Sequence, residues 1–379
     1  MNRLLTVSIF SLSLLLAACK PDKKSPEPTD QVPGTYNFDG VEISGQIVRQ
    51  LLLLDLEAKM ESAKTTAVSS QELRALFDST NTALNLYTDL SSGKRLSDSF
   101  LRFTSASVGQ DNPNSTFRLA FIDSVRTWLD TIALRSQNES TRSKAYIRHD
   151  GVDLKQAVAK SIMGGVFYDQ AVNKYLAKVP NDNNSEIVAG KNYTVMQHSY
   201  DEAFGYFGAM RNYNNYSDTE KRNPGEFDAN GDGKIDPLSE RNYFFSKTAA
   251  SRDLNVNYST GARDYTKEIF DAFILGRYSL DKYDYSTRDF AIIQVKSKWD
   301  EIIAATVVHY IIETEKGGAD LSKHWTEMKY YFFIHSVAPN KLSATQKAQL
   351  DQLFGKKPSD ATAENLALAK EIIKSVYGF

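Results

Sequence analysis

With 379 residues, 41% hydrophobic composition and a formal net charge of −2, the chain can bury a large core. Its basic residues are spread along the sequence, which argues against a nucleic-acid partner. A single cysteine, Cys19, excludes an intrachain disulfide and any zinc site built from cysteines, so the fold must hold by packing alone.

The chain begins with Arg3, the short apolar run "TVSIFSLSLLL" and "LAAC" at Leu16–Cys19. A basic start, a short apolar stretch and small residues before a cut are the pattern of a secretory signal, and the stretch is too short for a lasting membrane span. "LAAC" resembles the bacterial lipoprotein signal, in which the cysteine is lipidated. Residues 1–18 are therefore read as a signal peptide, with Cys19 as the lipidation site. Residues 19–35 form a proline-rich tether, because four of the ten prolines fall between Pro21 and Pro33. This places the protein in the cell envelope, anchored to a membrane by its N-terminal lipid, with the outer membrane as the expected location.

From residue 36 the pattern is helical. "GQIVRQLLLLDLEAKMESA" follows Ser44 as its cap. "TFRLAFIDSVRTWLDTIALRSQ" places Phe117, Phe121, Val125, Trp128 and Ile132 on one stripe. Asp153 caps "LKQAVAKSIMGGVFYDQAVNKYLAK", with Gln156 at the capping-box position. Gly164 and Gly165 inside that run point to a close helix crossing or a local break, since each costs about 1 kcal/mol against alanine. A helix is expected over 196–212, then a long polar loop. Further helices follow near 263–281, 286–316, 320–336, 344–354 and 361–376. No run of strand alternation appears. The fold class is all-α and bundle-built, as one domain over 36–379 or as two halves divided near 213–262.

The polar loop holds "DANGDGKIDPLS", starting at Asp228. Asp228, Asn230, Asp232 and Asp236 occupy the side-chain oxygen positions of an EF-hand-type loop. Gly233 falls at the sharp turn, and Lys234 would offer its backbone carbonyl. Position twelve is Ser239 rather than glutamate; Glu240 comes one residue later, and it or a water would complete the shell. The expectation is a weak calcium site that fixes the loop.

Two of the five histidines share one small pattern. "QHSYDEAFGYF" places His198 beside Asp201 and Glu202 on a helix face, and "KHWTEMKYYFF" places His324 beside Glu327. His309 and Glu313 form a third pair. If the helices flanking Gly317–Gly318 run antiparallel, His309 falls level with Glu327, and Glu313 near His324. Imidazoles and carboxylates on facing helices are how bundles build transition-metal sites, here for iron or zinc. The same pairs also arise when a buried histidine simply needs a partner for its ring N–H. No nucleophile-elbow or H-E-x-x-H pattern marks a catalytic residue.

"MQHSYDEAFGYFG", "KHWTEMKYYFF" and "YNFDGVEISGQIVRQLLLLDLE" resemble an uncharacterised family of bacterial lipoproteins known only as a domain of unknown function. More distantly the chain is similar to imelysin-like proteins, helical envelope proteins with a His-x-x-Glu motif. His324–Glu327 matches that motif, with Ser322 where those proteins carry glycine. That resemblance implies an imelysin-like bundle and a role in iron acquisition, with an outer-membrane uptake receptor as partner. The leading expectation is a non-enzymatic lipoprotein that binds a metal or a metal-bearing ligand. The alternatives are a calcium-stabilised glycan- or peptide-binding lipoprotein using the tyrosine-rich stretches at 193–216 and 278–285, and an imelysin-type peptidase.

Overall fold

The first helix, α1 (Ser44–Ser62), starts at Ser44 itself, after Ile43 and without a side-chain cap. A computed structural model describes residues 31–79, 90, 93–254 and 263–379. The expected signal segment, Cys19 and the tether before residue 31 lie outside these. Helix α2 (Ser70–Asp78) opens on a Ser69–Glu72 capping box. Helix α3 (Thr116–Gln137) has the bounds its periodicity predicts, and its stripe buries Val125 and Ile132 while leaving Phe117 56% exposed.

Helix α4 (Leu154–Ile162) is capped by Asp153, whose carboxylate accepts the Gln156 N–H. It continues as a thirteen-residue π-helix, Met163–Tyr175. Both expectations for the glycine pair hold here: the helical repeat changes, and neighbours press close. A Cβ at Gly164 would meet Ile334, and one at Gly165 would meet the Phe100 ring at about 3 Å. Helix α5 (Val195–Phe207) starts with a Thr194–Gln197 capping box. It stops five residues short of the expected 212, because Gly208 takes the left-handed conformation (φ 75°) that ends helices at low steric cost.

The stretch expected to be one long polar loop contains a short helix, Asp218–Arg222, and α6 (Phe244–Leu254). Helices α7 (Tyr265–Asp281), α8 (Tyr285–Glu315) and α9 (Leu321–Val337) then pack as consecutive hairpins. Gly317 and Gly318, both at positive φ, make the α8–α9 turn. Helices α10 (Ala344–Phe354) and α11 (Ala363–Tyr377) close the chain, with α11 against α8.

The fold is all-α. Strand-like pairing among the described residues is limited to isolated bridges such as Glu226–Arg241. No described helix is long and apolar enough to cross a membrane. Residues 33–379 form one compact unit. Its core centres on Trp299 of α8, which is fully buried and meets the rings of Tyr168, Phe207, Phe245 and Phe273. Four helical segments thus converge on one side chain, which fixes α6 against α8. Burying aromatics on this scale is the dominant stabilisation available to a chain whose one cysteine cannot form an internal disulfide.

Candidate functional site

The two histidine motifs open onto different cavities. On α5, His198 stacks on Tyr193 with ring centroids 4.5 Å apart, and its Nε2 lies 3.7 Å from Glu202 Oε2. The other Glu202 oxygen accepts the Gln46 side-chain amide at 2.8 Å. These groups line a cleft of about 230 Å³ with Glu42 and Lys94. Asp201 turns the other way, into the core. It is fully buried, paired with Arg277 at 3.0 Å, and accepts the Tyr36 hydroxyl at 2.8 Å. Burial pushes its carboxyl up to about 6, against the pull of Arg277. The Asp201 position beside His198 in sequence therefore serves α5–α7 packing.

The α8–α9 hairpin has the register expected of it. Glu327 faces Tyr310, next to His309, and accepts its hydroxyl at 2.9 Å; its Oε1 also lies 3.9 Å from Lys160 Nζ. The His324 ring lies 6.1 Å from that of Tyr310. His309, Glu313 and His324 line one cavity, while Glu327 stands behind its wall. Among the described residues no group of three or more His, Cys, Asp or Glu is arranged to hold a metal ion. His335, further along α9, is buried with its Nδ1 3.0 Å from Asp300 Oδ1, and Asp300 also accepts the Tyr377 hydroxyl. That pair ties α9 and α11 to α8.

The cavity beside the hairpin measures about 690 Å³, within the range of small-ligand sites. Two of its walls are single helical faces. Helix α8 supplies Thr306, His309, Tyr310 and Glu313 at spacings of three and four, and α6 supplies Phe244, Lys247, Thr248, Ser251 and Arg252. Among the described residues six cationic side chains line it, namely Lys160, Arg222, Arg241, Lys247, Arg252 and Lys323, against two carboxylates, Glu57 and Glu313.

Several of these charges are compensated. Arg241 pairs with Glu226, and Glu313 with Lys316, whose ammonium holds that carboxyl below its usual range. Lys160 lies over the Tyr331 ring; burial pulls its pKa down, but Tyr331, Glu327 and Glu57 together hold it above its ordinary value. Arg252 is different. It is 4% exposed, and among the described residues its Nε and Nη1 are buried without a hydrogen-bond partner. Burial first, and then the Arg252 guanidinium, push His309 down to about 4, so its imidazole is neutral at pH 7. The His324 Nδ1 is also buried without a partner among the described residues. A buried guanidinium, a neutral imidazole and an unsatisfied ring nitrogen together leave donors unanswered at one end of the cavity.

The 228–240 loop precedes the cavity-lining residues Arg241–Tyr243. The Asp228 carboxylate accepts the N–H groups of Gly231, Asp232 and Gly233, and Asn230 accepts that of Asp232. Glu240, 3% exposed, accepts from Ala229, Asn230 and Asp236. The residue one place beyond the expected twelfth position thus laces the loop shut. No helix enters the loop; the Glu226–Arg241 bridge closes its base.

The tyrosine-rich stretch at 193–216 is largely core, since Tyr200, Tyr206 and Tyr213 are fully buried. Tyr283 and Tyr285 are exposed.

A helical fold enclosing a basic, ligand-sized cavity defines the class of molecule. The chain belongs to a family defined by a domain of unknown function, DUF4856, whose model matches residues 33–352, from before α1 into α10, and takes in every described residue that lines the cavity. No curated protein and no solved structure matches the chain.

Proposed function

We propose that this protein binds a small anionic ligand, bearing carboxylate or phosphate groups, in the cavity between α6 and the α8–α9 hairpin. The observation that carries the reading is Arg252. A buried charge without a partner is costly to the fold, and natural proteins keep one where a ligand supplies the missing counter-charge. A carboxylate or phosphate matches the guanidinium fork in a bidentate manner, and His309 and His324 offer further ring nitrogens beside it.

This reading favours binding over catalysis, in keeping with the absence of a nucleophile pattern in the sequence. It also gives a place to the metal-bearing ligand that the sequence suggests for an envelope lipoprotein. Iron or another metal would enter as an anionic chelate, held through its ligand's carboxylates rather than by His198 and His324 directly. Calcium takes a supporting role, with Asp228, Asn230, Asp232, Asp236, the Lys234 carbonyl and Glu240 as its oxygens. It would brace the loop that leads into Arg241–Tyr243. A melting temperature of the full chain that rises with calcium, and no longer does so in Asp228→Ala, supports this role; identical curves with calcium and with a chelator refute it.

The test of the main reading is calorimetry on the purified full chain with citrate and with inorganic phosphate, which separates the two anion chemistries. We expect at least one to bind, and Arg252→Met to weaken it tenfold or more while leaving the melting temperature unchanged or raised. Met removes a buried unpaired charge and keeps most of the volume. Failure of both anions to bind the wild type, or unchanged affinity in Arg252→Met, overturns the reading.

A further inference from the structure

Four of the cationic groups of this cavity fall into two sets, Arg252 in one and Lys247, Arg222 and Arg241 in the other, and the ligand chemistry follows from their separation. Resting on the anion-binding reading above, we infer that the ligand is elongated and carries an anionic group at each end, one beside Arg252 and the other beside Lys247 and Arg222.

Helix α6 runs along the cavity as its floor. Its half-buried face shows Phe244, Lys247, Thr248 and Ser251, and the buried Arg252 follows at the end of the same stripe. Lys247 and Arg252 are five residues apart, which is about 7.5 Å of rise along an α-helix. Five residues is also about 140° of rotation at 3.6 residues per turn, so the two side chains leave the helix in different directions.

The chain places a different environment at each end. At the Arg252 end stand His309 and His324, with buried ring nitrogen and guanidinium donors left open. At the Lys247 end the segment before α6 adds Arg222, which is exposed at the mouth, and Arg241. Lys247 donates to the Pro224 carbonyl at 3.0 Å, which holds its ammonium at that end. Burial, and then the neighbouring Arg241, lower its pKa, against the pull of Glu226, which pairs with Arg241.

Between the two ends the wall changes character. Thr248 Oγ1 and the Tyr331 hydroxyl lie 3.1 Å apart, and the Tyr310 and Tyr331 rings stack at 5.7 Å behind them. Lys160 lies over the Tyr331 ring here, but it already faces Glu327 and Glu57, so the hydroxyl pair on the aromatic wall is left to meet an uncharged middle section. The volume of about 690 Å³ is more than one carboxylate or phosphate would fill, and it accommodates a chain linking two of them.

The experiment is a calorimetric series on the full chain with hexanoate, succinate, adipate and suberate. We expect adipate or suberate to bind at least tenfold more tightly than both hexanoate, which has one charge, and succinate, which is too short to reach both ends. Arg222→Ala and Lys247→Met should each weaken the long diacid at least threefold and leave hexanoate unchanged, whereas Arg252→Met should weaken both. Arg222 is exposed, so its variant tests the outer end without disturbing the core. If hexanoate binds as tightly as adipate and suberate, and still depends on Arg252, the two-ended ligand is refuted while the anion site stands. If no acid in the series responds to Arg252→Met, the underlying anion-binding reading fails with it.

Discussion

Replacing Asp169 by asparagine should remove about 3 kcal/mol of pH-dependent stability between pH 8 and pH 5. Asp169 sits in the π-helix, fully buried. Its two oxygens accept the Phe103 N–H and the Asn173 side-chain amide, each at 2.8 Å. These bonds favour the ionised form, but burial outweighs them and pushes the carboxyl up to about 7, from 3.8 in the unfolded chain. Between those values the folded state holds a proton that the unfolded state has lost. Its stabilising contribution is therefore present at low pH and is lost as pH rises through 7. Integrating over the window from pH 8 to pH 5 gives the figure of about 3 kcal/mol. Asparagine does not titrate, so the variant should be more favourable relative to wild type at pH 8 than at pH 5, by that amount. Asp153, Asp201 and Asp253 are raised in the same sense, and His309 is shifted in the opposite sense; these are common to both proteins and cancel in the difference. Urea unfolding at the two pH values, followed by the fluorescence of the buried Trp299 and Trp325, measures it. The same wild-type-to-variant difference at both pH values would refute the reasoning.

The Asp201–Arg277 pair gives a second test. Arg277→Met strands a fully buried carboxylate and should cost about 3–5 kcal/mol, with Asp201→Asn in the same chain recovering part of it; losses that simply add in thermal melts would contradict the pairing. Gly165→Ala should cost about 1–3 kcal/mol by driving a methyl into the Phe100 ring, and the double variant with Phe100→Leu should cost less than the two single losses combined. Binding of sulfate, which does not titrate near neutrality, should tighten as pH falls from 7.5 to 5.5. An anion in the cavity offsets the field that Arg252 of α6, His324 of α9 and Lys316 impose on His309, against Glu313 on its own helix, and so favours its imidazolium. His309→Gln should flatten that dependence, and an unchanged slope in the variant would assign the effect elsewhere.

The parts of the fold that were legible in the sequence are those with strong local signals. Helix α3 needed only its period, and Asp153 announced α4 through its cap. The α8–α9 register followed from Gly317–Gly318: with the turn placed there, the helical repeat alone sets Glu327 opposite the His309–Tyr310 step. What local pattern does not contain is which face of a helix meets which neighbour. Asp201 and Glu202 are both within helical reach of His198, yet one enters the core and the other lines a cleft. The partner that decides this, Arg277, lies 76 residues away. The two histidine motifs looked alike for the same reason: the spacing is local, and the cavities they open onto are set by distant packing.

Helices α2 and α6 are both missed in the sequence reading, and α6 carries the side chain on which the proposed function rests. It is eleven residues long, and its buried face is made chiefly of Phe245, Ser246, Ala249 and Ala250, so small residues leave its apolar period weak. Its charged face then passes for solvent-facing loop. One local signal separates the two cases. An exposed helix usually sets acids three or four residues from its cations. Here the residues four before and four after Lys247 are Tyr243 and Ser251, and those three and four before Arg252 are Ala249 and Thr248. No carboxylate answers either cation at helical spacing within the helix. Cations left unanswered on a helix that the core holds on its other side must find their counter-charge across a cavity or in a ligand. Among the described residues two carboxylates stand across this cavity, Glu57 and Glu313, the second already engaged by Lys316, and that shortfall is what favours an anionic ligand at the site.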